Sequence, residues 1–301
     1  MVESGPDGAG AVISRVFAAR PLAVTSDALA DKAASVDPVA LADPHALADP
    51  DVLADPDAQP DPDALGDAEL IALYSAPDRS QRLVRANFIS SIDGSATVEG
   101  LSGRLGGPAD KRVFDLLRQL CDVVVVGAGT VRSEGYGAMR LGQGATRWRV
   151  EHGLPEHPAF VIVSRSLDLD LDSDVFTQAP RRPLVLTSAA ADSGRRSSLE
   201  RVADVVECGS ETVEPQRLVA ELVRRGLMQI HCEGGPSLFG DLIAADEIDE
   251  LCLTFSPALE GGAGPRISHA SAAVDARSMI LDHILRAESM LLMKYSRRRP
   301  R

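Results

Sequence analysis

The sequence has few aromatic residues and far less positive than negative charge. One tryptophan, three tyrosines and seven phenylalanines occur in 301 residues, and 44 acidic against 31 basic side chains give a net charge of −13. The acidic excess argues against nucleic acid or an anionic membrane as a partner. No apolar run approaches the ~20 residues of a membrane span, and the segment 11–19 is too short for a signal peptide. We therefore expect a cytoplasmic protein that acts on a small molecule.

Cysteine is also scarce, and its spacing excludes the common cysteine sites. The four residues are far apart and form no C-x-x-C pair: Cys121, Cys208, Cys232 and Cys252. Three of them lie in apolar runs typical of strands. Buried thiols in a reducing compartment are the simplest interpretation, and we expect neither a zinc site nor any other metal.

The first 66 residues differ in composition from the rest. Three hexapeptides of the form Leu-Ala-Asp-Pro-x-x occupy residues 41–58, and a degenerate fourth follows at 59–64. Each proline disfavours helix at the residue before it, and little apolar surface offsets the entropy of ordering. We predict a disordered acidic segment at 1–66, whose removal leaves the melting temperature nearly unchanged, and a globular domain at 67–301. A weak calcium-binding collar or a partner tether is the alternative function for the repeat.

Four consecutive valines at 123–126 predict a strand that is buried on both faces. The strand ends at Gly127-Ala128-Gly129-Thr130. Two glycines allow another group to approach the backbone closely, and free N–H groups at such a strand end can bind a phosphate. The alternative is a tight turn in which the glycines serve only the backbone.

A Rossmann dinucleotide site does not fit this turn. The third glycine of the G-x-G-x-x-G fingerprint is replaced by Arg132, and the next strand, 159–163, does not end in an acidic residue. It ends in Ser164-Arg165-Ser166. Serines and an arginine suit the 2′-phosphate of NADP better than the free ribose diol of NAD.

A second junction of strand, glycines and helix repeats this arrangement at 228–244. It reads Glu233-Gly234-Gly235-Pro236, with the proline at a helix start. Helix N-terminal N–H groups attract anions, so the two turns could hold the two phosphates of one dinucleotide in a common cleft. Glu233 could reach a ligand there, or could be a helix cap or part of a salt bridge.

The rest of the chain alternates between strand and helix patterns, which predicts a mostly parallel sheet covered on both faces. Pro108 begins a helix whose apolar residues share one face and are predicted core: Val113, Phe114, Leu116, Leu117 and Leu120. A long irregular stretch then runs to about residue 158. Its Trp148 is interpreted either as a lid over the site or as a local hydrophobic anchor.

Three motifs in this order resemble a known family. They are Ser91-Ile-Asp-Gly94, the run 122–131 and the run 233–238. Together they resemble the reductase domain of the bacterial riboflavin-pathway deaminase/reductase, the pyrimidine reductase family, closest to stand-alone actinobacterial members. The resemblance covers about residues 83–296. It implies the dihydrofolate reductase-like fold, a three-layer αβα arrangement with a mostly parallel sheet, and usually a homodimer.

The resemblance also implies the reaction and its residues. NADPH would reduce the ribosyl group of 5-amino-6-(5-phosphoribosylamino)uracil to the ribityl product. The implied cofactor contacts are Ile89, Ser90, Thr130, Glu134, Ser164 and the loop 235–241, which contains Ser237, Leu238 and Phe239. The two glycine turns and the end of the strand at 159–163 contribute further predicted cofactor contacts: Gly127, Gly129, Arg165, Gly234, Gly235 and Pro236. The implied substrate contacts are Ser102, Arg118 for a phosphate, Glu233 for the pyrimidine and, at a position usually occupied by lysine, Asn87.

The chain departs from the family pattern at several positions. It lacks the zinc deaminase signature, so deamination is not expected. Asn87 replaces the usual lysine, Glu134 a common aspartate and Arg104 a tryptophan. The loss of a charged contact to the base makes a dihydrofolate, pterin or other pyrimidine reductase the alternative. A non-catalytic NADP-binding sensor is a second alternative.

Two carboxylates are candidate catalytic residues. The nitrogen of the reduced imine must be protonated, and Glu134 or Asp93 could relay that proton or hold a water. For Asp93, an aspartate in Ser-Ile-Asp-Gly commonly only closes a turn.

Overall fold

A single ten-stranded sheet forms the centre of the molecule in the computed structural model, which describes residues 12–18, 64–270 and 275–297. The strands are β1 (Ser14–Ala18), β2 (Leu83–Ser91), β3 (Val123–Gly127), β4 (Ala159–Val163), β5 (Leu184–Thr187), β6 (Asp204–Glu207), β7 (Gln229–Cys232), β8 (Glu250–Ser256), β9 (Ile280–Ala287) and β10 (Met290–Ser296). Their order across the sheet is β1-β9-β10-β8-β2-β7-β3-β4-β5-β6. In this order, the seven neighbouring strands from β8 to the edge strand β6 pair in parallel. Strands β10, β9 and β1 continue the sheet through antiparallel pairs, so the mostly parallel sheet is confirmed.

Helices cover both faces of this sheet. They are α1 (Asp67–Tyr74), α2 (Pro108–Leu120), α3 (Ala128–Ser133), α4 (Gln143–Glu151), α5 (Asp174–Thr177), α6 (Ser193–Leu199), α7 (Pro215–Arg224) and α8 (Pro236–Ala244). In the described part of the chain none of them is long and apolar enough to cross a bilayer. The valine strand shows why two layers are needed. Val123 and Val125 pack with α7 and α8, whereas Val124 and Val126 belong to the opposite cluster.

The antiparallel edge was not expected from the sequence and changes the interpretation of the N-terminal segment. β1 pairs with β9, and the Ile13 side chain is fully buried beside α1 and α2. The Leu65 amide donates to the Ile13 carbonyl at 2.7 Å. The predicted disorder of residues 1–66 is therefore wrong for residues 12–18 and 64–66, and we now expect their removal to lower the melting temperature, because it would remove a strand and a core side chain. The hexapeptide repeat at 41–63 lies outside the described residues.

Two further expectations about packing are corrected. The stretch to residue 158 contains helix α4, on which Trp148 packs against the cluster formed by α1 and α2 and stacks on His152 with ring centroids 3.9 Å apart. Trp148 is thus an anchor. On α2, four of the five predicted core residues are buried, but Phe114 is only half-buried and lines a cavity. All four cysteines are free and buried, as expected.

Candidate active site

Two adjoining cavities lie at the carboxyl ends of the parallel strands. The first, of about 780 Å³, is bounded by β2, α2 and the loops after α3 and β7. The second, of about 660 Å³, is bounded by the ends of β3, β4 and β7. Thr130, Ser133, Gly235 and Pro236 line both. The two cavities therefore adjoin at the two glycine turns, which the structure brings together as the sequence predicted.

Direct packing of the two turns explains their glycines. The Gly127 amide donates to the Gly234 carbonyl at 2.8 Å. A Cβ on Gly235 would lie 2.6 Å from Thr130 Oγ1, so a side chain there would require Thr130 to move. Gly234 has a φ of +98°, which favours glycine. By contrast, a Cβ on Gly129 would meet no atom within 4 Å, so this glycine leaves open space in the second cavity.

The end of β4 supplies a polar wall to the second cavity. Ser164, Arg165 and Ser166 all line it, next to Ser237 and Leu238 of α8. Ser164 is buried and its Oγ accepts the Leu167 amide at 3.0 Å, which fixes the turn. The Arg165 side chain is exposed and makes no hydrogen bond or ion pair within the described residues. This wall can therefore present a free cation and a hydroxyl to an anionic ligand.

A buried ion pair closes one end of the first cavity. Arg118 of α2 donates two hydrogen bonds to Glu233, from Nε to Oε1 at 2.6 Å and from Nη2 to Oε2 at 2.7 Å. The Tyr136 hydroxyl donates to Glu233 Oε2 at 2.8 Å, and the guanidinium stacks on the Phe114 ring at 4.2 Å. Arg118 and Glu233 were predicted to bind the substrate separately, but the structure makes them one unit.

Electrostatics keep this unit charged. Burial pulls the pKa of Glu233 upward, but the charge and hydrogen bonds of Arg118 outweigh it and hold that pKa below its usual value. For Arg118, burial opposes the charge and Glu233 favours it, and the net result is a raised pKa. Burial, followed by the charge of Glu233, raises the pKa of Tyr136 well above its usual value, so its hydroxyl remains a donor. Glu233 is therefore an ionised acceptor at neutral pH.

Four more predicted residues meet at the other end of the first cavity. Asn87 and Ile89 of β2 line it together with Ser102 and Glu134. The Ser102 amide donates to Glu134 Oε1 at 2.8 Å, which fixes the carboxylate beside the turn at Thr130. An uncharged amide thus occupies the wall position where the family pattern has a lysine.

Three predicted site residues do not line either cavity. Asp93 accepts hydrogen bonds from Ser91 Oγ and from the amides of Glu260 and Gly261. The Ser91 hydrogen bond, followed by those of the two amides, lowers the pKa of Asp93 to about 2. Asp93 therefore closes a turn and is not placed to deliver a proton. The Ser90 hydroxyl is buried and donates to the Ser91 carbonyl, and Phe239 lies in the core, stacked on Phe88.

The sequence analysis missed several residues that line the first cavity. Asp110 and Phe114 precede the predicted Arg118 at every fourth position of α2, a spacing that places the three on one helix face, and Lys111 follows Asp110. That spacing was a usable signal for Asp110 and for Phe114 as a cavity residue. No local pattern marks Tyr136, which follows the glycine turn by several residues.

The architecture and motifs agree with one family model. The RibD C-terminal domain model matches residues 82–290, which is more than half of the chain. The chain belongs to the RibD C-terminal domain family. Membership confirms the resemblance seen in the three motifs, and places both glycine turns and the α2 face within the family domain.

Two relatives of this RibD-family chain are named for a pyrimidinone phosphate reductase and for a riboflavin biosynthesis protein. The chain is 28% identical over 180 residues to the 2,5-diamino-6-ribosylamino-4(3H)-pyrimidinone 5′-phosphate reductase of Archaeoglobus fulgidus, covering 60% of this chain and 82% of the relative. It is 27% identical over 177 residues to the riboflavin biosynthesis protein RibD of Synechocystis, covering 58% of this chain and 45% of RibD. The RibD-family chain thus spans less than half of that longer protein.

Solved structures confirm the fold. A pyrimidine reductase-like protein from Corynebacterium diphtheriae superposes with a TM-score of 0.71 at 28% identity, covering 77% of this chain and 99% of the other. The deaminase/reductase of Thermotoga maritima gives a TM-score of 0.55 at 19% identity, covering 72% and 57%. The predicted dihydrofolate reductase-like αβα fold is therefore confirmed for this RibD-family chain.

Proposed function

We propose that this chain is the NADPH-dependent reductase of riboflavin biosynthesis that reduces a phosphorylated ribosylamino-pyrimidine, in the first place 5-amino-6-(5-phosphoribosylamino)uracil. The observation that carries the proposal is the pair of adjoining cavities at the two glycine turns. One half is a glycine-lined groove with a free cation, and the other half is walled by donors and acceptors from α2 and the loop after β7. The names of the relatives support the same reaction class.

The second cavity suits the phosphates of a dinucleotide. Gly127, Gly129 and Thr130 line one side, and Gly235 with the N-terminal turn of α8 lines the other. Free N–H groups at the start of α8 favour an anion. Arg165 and Ser166 would contact the 2′-phosphate of NADPH. When bound, NADPH supplies the hydride, and the chain positions the substrate and excludes water.

The first cavity suits a pyrimidine that carries a ribose phosphate. The carboxylate oxygens of Glu233 can accept hydrogen bonds from N–H groups on the edge of a pyrimidine. Nη1 of Arg118 is not used in the hydrogen bonds to Glu233, so it can donate to an acceptor on the same edge. The charge of Lys111 is more available to a phosphate than that of Arg118, because its side chain is 67% exposed and Asp115 is its one ion-pair partner among the described residues.

The substrate is tested by measuring NADPH oxidation by the full chain with three candidates: the ribosylaminouracil phosphate, its 2,5-diamino-pyrimidinone counterpart and dihydrofolate. We expect turnover of a phosphorylated ribosylamino-pyrimidine. The uncharged Asn87 favours testing dihydrofolate, and turnover of dihydrofolate alone would contradict the proposal. Binding of NADPH without turnover of any candidate would favour a nucleotide sensor.

The cofactor half is tested with Gly129→Val. The new side chain enters open space in the second cavity, so the protein should fold while NADPH binding weakens at least tenfold (~1.4 kcal/mol). Nicotinamide fluorescence titration measures the Kd. Gly144→Val is the matched control, because Gly144 is also the second residue of a helix, has open space at its Cβ and lies outside both cavities. An unchanged Kd for Gly129→Val would refute the cofactor assignment.

We also propose that the protein is a cytoplasmic homodimer, as the resemblance implies. The exposed apolar side chains Ile92 (62% exposed) and Leu259 (76%) lie on connected loops and leave apolar area available for a partner copy. Sedimentation of the full chain tests this state, and a monomer at micromolar concentration would contradict it.

A further inference from the structure

Three carboxylates line the first cavity, and their surroundings differ. Glu233 is held by Arg118 and Tyr136, and Glu134 accepts the Ser102 amide. Asp110 lies in the first turn of α2, half-buried, and its carboxylate accepts a hydrogen bond from the Thr254 side chain of β8. Within residues 12–18, 64–270 and 275–297 it has no cationic partner. Asp110 and Glu134 are thus both cavity carboxylates without a counter-charge among these residues, but Glu134 is held by a backbone amide whereas Asp110 is held only by the Thr254 side chain.

The pKa values of two of these carboxyls move in opposite directions. Burial raises the pKa of Asp110, and the Thr254 hydrogen bond opposes that rise only in part. The pKa of Glu233 is lowered, because Arg118 outweighs the burial that pulls it upward. Two carboxyls of one site whose environments separate their pKa values commonly divide into an acid and an ionised group.

The other titratable groups around Asp110 do not reverse this assignment. Tyr74 of α1 is buried and neutral, and the charge of Asp110 contributes to its raised pKa. Cys252 of β8 is buried, and burial raises its pKa to about 12. Lys111, the next residue of α2, directs its Nζ to Asp115 at 2.7 Å. Glu134 lines the same cavity and would disfavour a second negative charge there.

We infer that Asp110 is the proton donor of the reductive step, an inference that rests on the proposed function. Asp110 lines the same cavity as Asn87, Ile89 and Arg118, and this cavity adjoins the proposed cofactor groove at Thr130 and Gly235. In the step, C1′ of the open-chain imine gains a hydride, with its electron pair, from the dihydronicotinamide. The C=N bond becomes single as the imine nitrogen takes the proton from the Asp110 carboxyl, whose O–H bond breaks. The imine is reduced, the nicotinamide is oxidised, and Asp110 regains a proton from water.

A structural role is the competing explanation for this residue. An acidic side chain in the first turn of a helix complements the helix dipole and would contribute stability without taking part in chemistry. Such a role predicts an effect on the melting temperature alone. Measurements of kcat, of its pH dependence and of the Asp110 titration midpoint separate the two explanations, because a purely stabilising role predicts no change in kcat or in its pH dependence.

The first test is Asp110→Asn, which keeps the size of the side chain and an acceptor for Thr254. We expect kcat to fall about 10²- to 10⁴-fold, the range for loss of a general acid, with the Kd for NADPH within twofold of the parent. Asp67→Asn makes the same chemical change in the first turn of α1, outside both cavities, and should retain full kcat. A kcat for Asp110→Asn within twofold of the parent would overturn the inference.

The second test is the pH profile. The acid must be protonated, so kcat should fall as pH rises through the pKa of Asp110. Thr254→Val removes the hydrogen bond that lowers this pKa, and should move that limb of the profile to higher pH. Asp110→Asn should lack the limb. If kcat falls at the same pH in Thr254→Val as in the parent, the inference is overturned.

A third measurement does not depend on the substrate. Carboxyl ¹³C titration of the full chain, with the Asp110 signal assigned by its loss in Asp110→Asn, should give a midpoint above the ordinary aspartate value of ~3.9. A midpoint at or below that value overturns the inference whatever the substrate is. A raised midpoint in a protein that turns over none of the three candidates would refute the proposed function, while still supporting Asp110 as the group that retains the proton.

Discussion

Arg85–Glu250 and Arg118–Glu233 are two buried arginine–glutamate pairs in very different places. Arg85 and Glu250 are direct neighbours on β2 and β8, with side chains 6% and 8% exposed, and Lys294 of β10 adds a third charge 3.0 Å from Glu250. Arg118 and Glu233 join a helix to a loop across the wall of the first cavity. The first pair connects elements of the sheet, and the second faces a space that can hold a ligand.

The difference shows what a buried charge does in each location. Arg85 also donates to the Tyr74 carbonyl at 2.6 Å, so its pair ties β2, β8, β10 and α1 together and has no open side. The pair in the cleft has its arginine 19% exposed and retains bonding capacity for a substrate. We therefore expect damage to the first pair to appear as lost stability and damage to the second as lost turnover.

The largest effect is expected from Glu250→Gln. It leaves Arg85 buried without its counter-charge and Lys294 with only Asp282, 3.9 Å away, and should lower the free energy of unfolding by about 3–5 kcal/mol. Urea denaturation measures this change. Asp115→Asn, at an exposed pair, is the control and should cost no more than about 0.5 kcal/mol. A loss below 1 kcal/mol for Glu250→Gln would remove the distinction between the two pairs.

Next in size is Glu233→Gln. It removes the ionised acceptor from the cleft, so kcat/KM for the pyrimidine substrate should fall about 100-fold (~2.7 kcal/mol) while the Kd for NADPH stays within twofold. Steady-state kinetics and cofactor titration measure the two quantities. If kcat/KM stays within threefold of the parent, the pair in the cleft is structural, like the pair in the sheet.

A third expectation concerns pH and a residue between the two pairs. His231 is paired in register with Arg85, and its Nε2 lies 3.6 Å from Glu233 Oε1. Burial lowers the pKa of His231 to about 4, and burial with the charge of Lys294 does the same for His283. In the unfolded chain these histidines gain protons below about pH 6.5. Their contribution to stability is therefore complete above pH 6.5 and is lost between about pH 6.5 and 4.

The expected slope is at most roughly 1.4 kcal/mol per pH unit for each histidine. Urea denaturation at pH 7, 6 and 5 measures it, and His231→Asn should reduce the slope by about half. Glu233 and Glu250, whose pKa values are lowered, add to the loss only below about pH 4.5. Equal stability at pH 7 and pH 5 would contradict this account.

The smallest effect is expected from Tyr136→Phe. The variant removes one hydrogen bond to Glu233 and leaves the bidentate bond to Arg118 intact, so kcat/KM should fall about fivefold to tenfold, near 1–1.4 kcal/mol. The melting temperature should change little, since the tyrosine ring remains packed against Phe160. A 100-fold fall would mean that Tyr136 itself contacts the reacting groups.

Features encoded over short distances were predictable from the sequence. The valine strand, both glycine turns and the start of α2 at Pro108 depend on residues within a few positions of one another. Arg118 and Glu233 are 115 positions apart, so their pairing could not be read from local patterns. The same applies to Asp110 and Thr254. Asp93 was open to two interpretations because its turn motif is local, whereas its partners at 260–261 are distant.

The contact between the N-terminal strand and the start of the main domain has a consequence for how this protein can vary. Ser14 bridges to Ala64 and Ile13 accepts from Leu65, so the acidic hexapeptides belong to an insertion whose two ends are fastened side by side. The residues that make these contacts lie outside the three complete hexapeptides at 41–58. A change in the number of those copies would therefore remove none of the contacts by which the N-terminal strand joins the main domain.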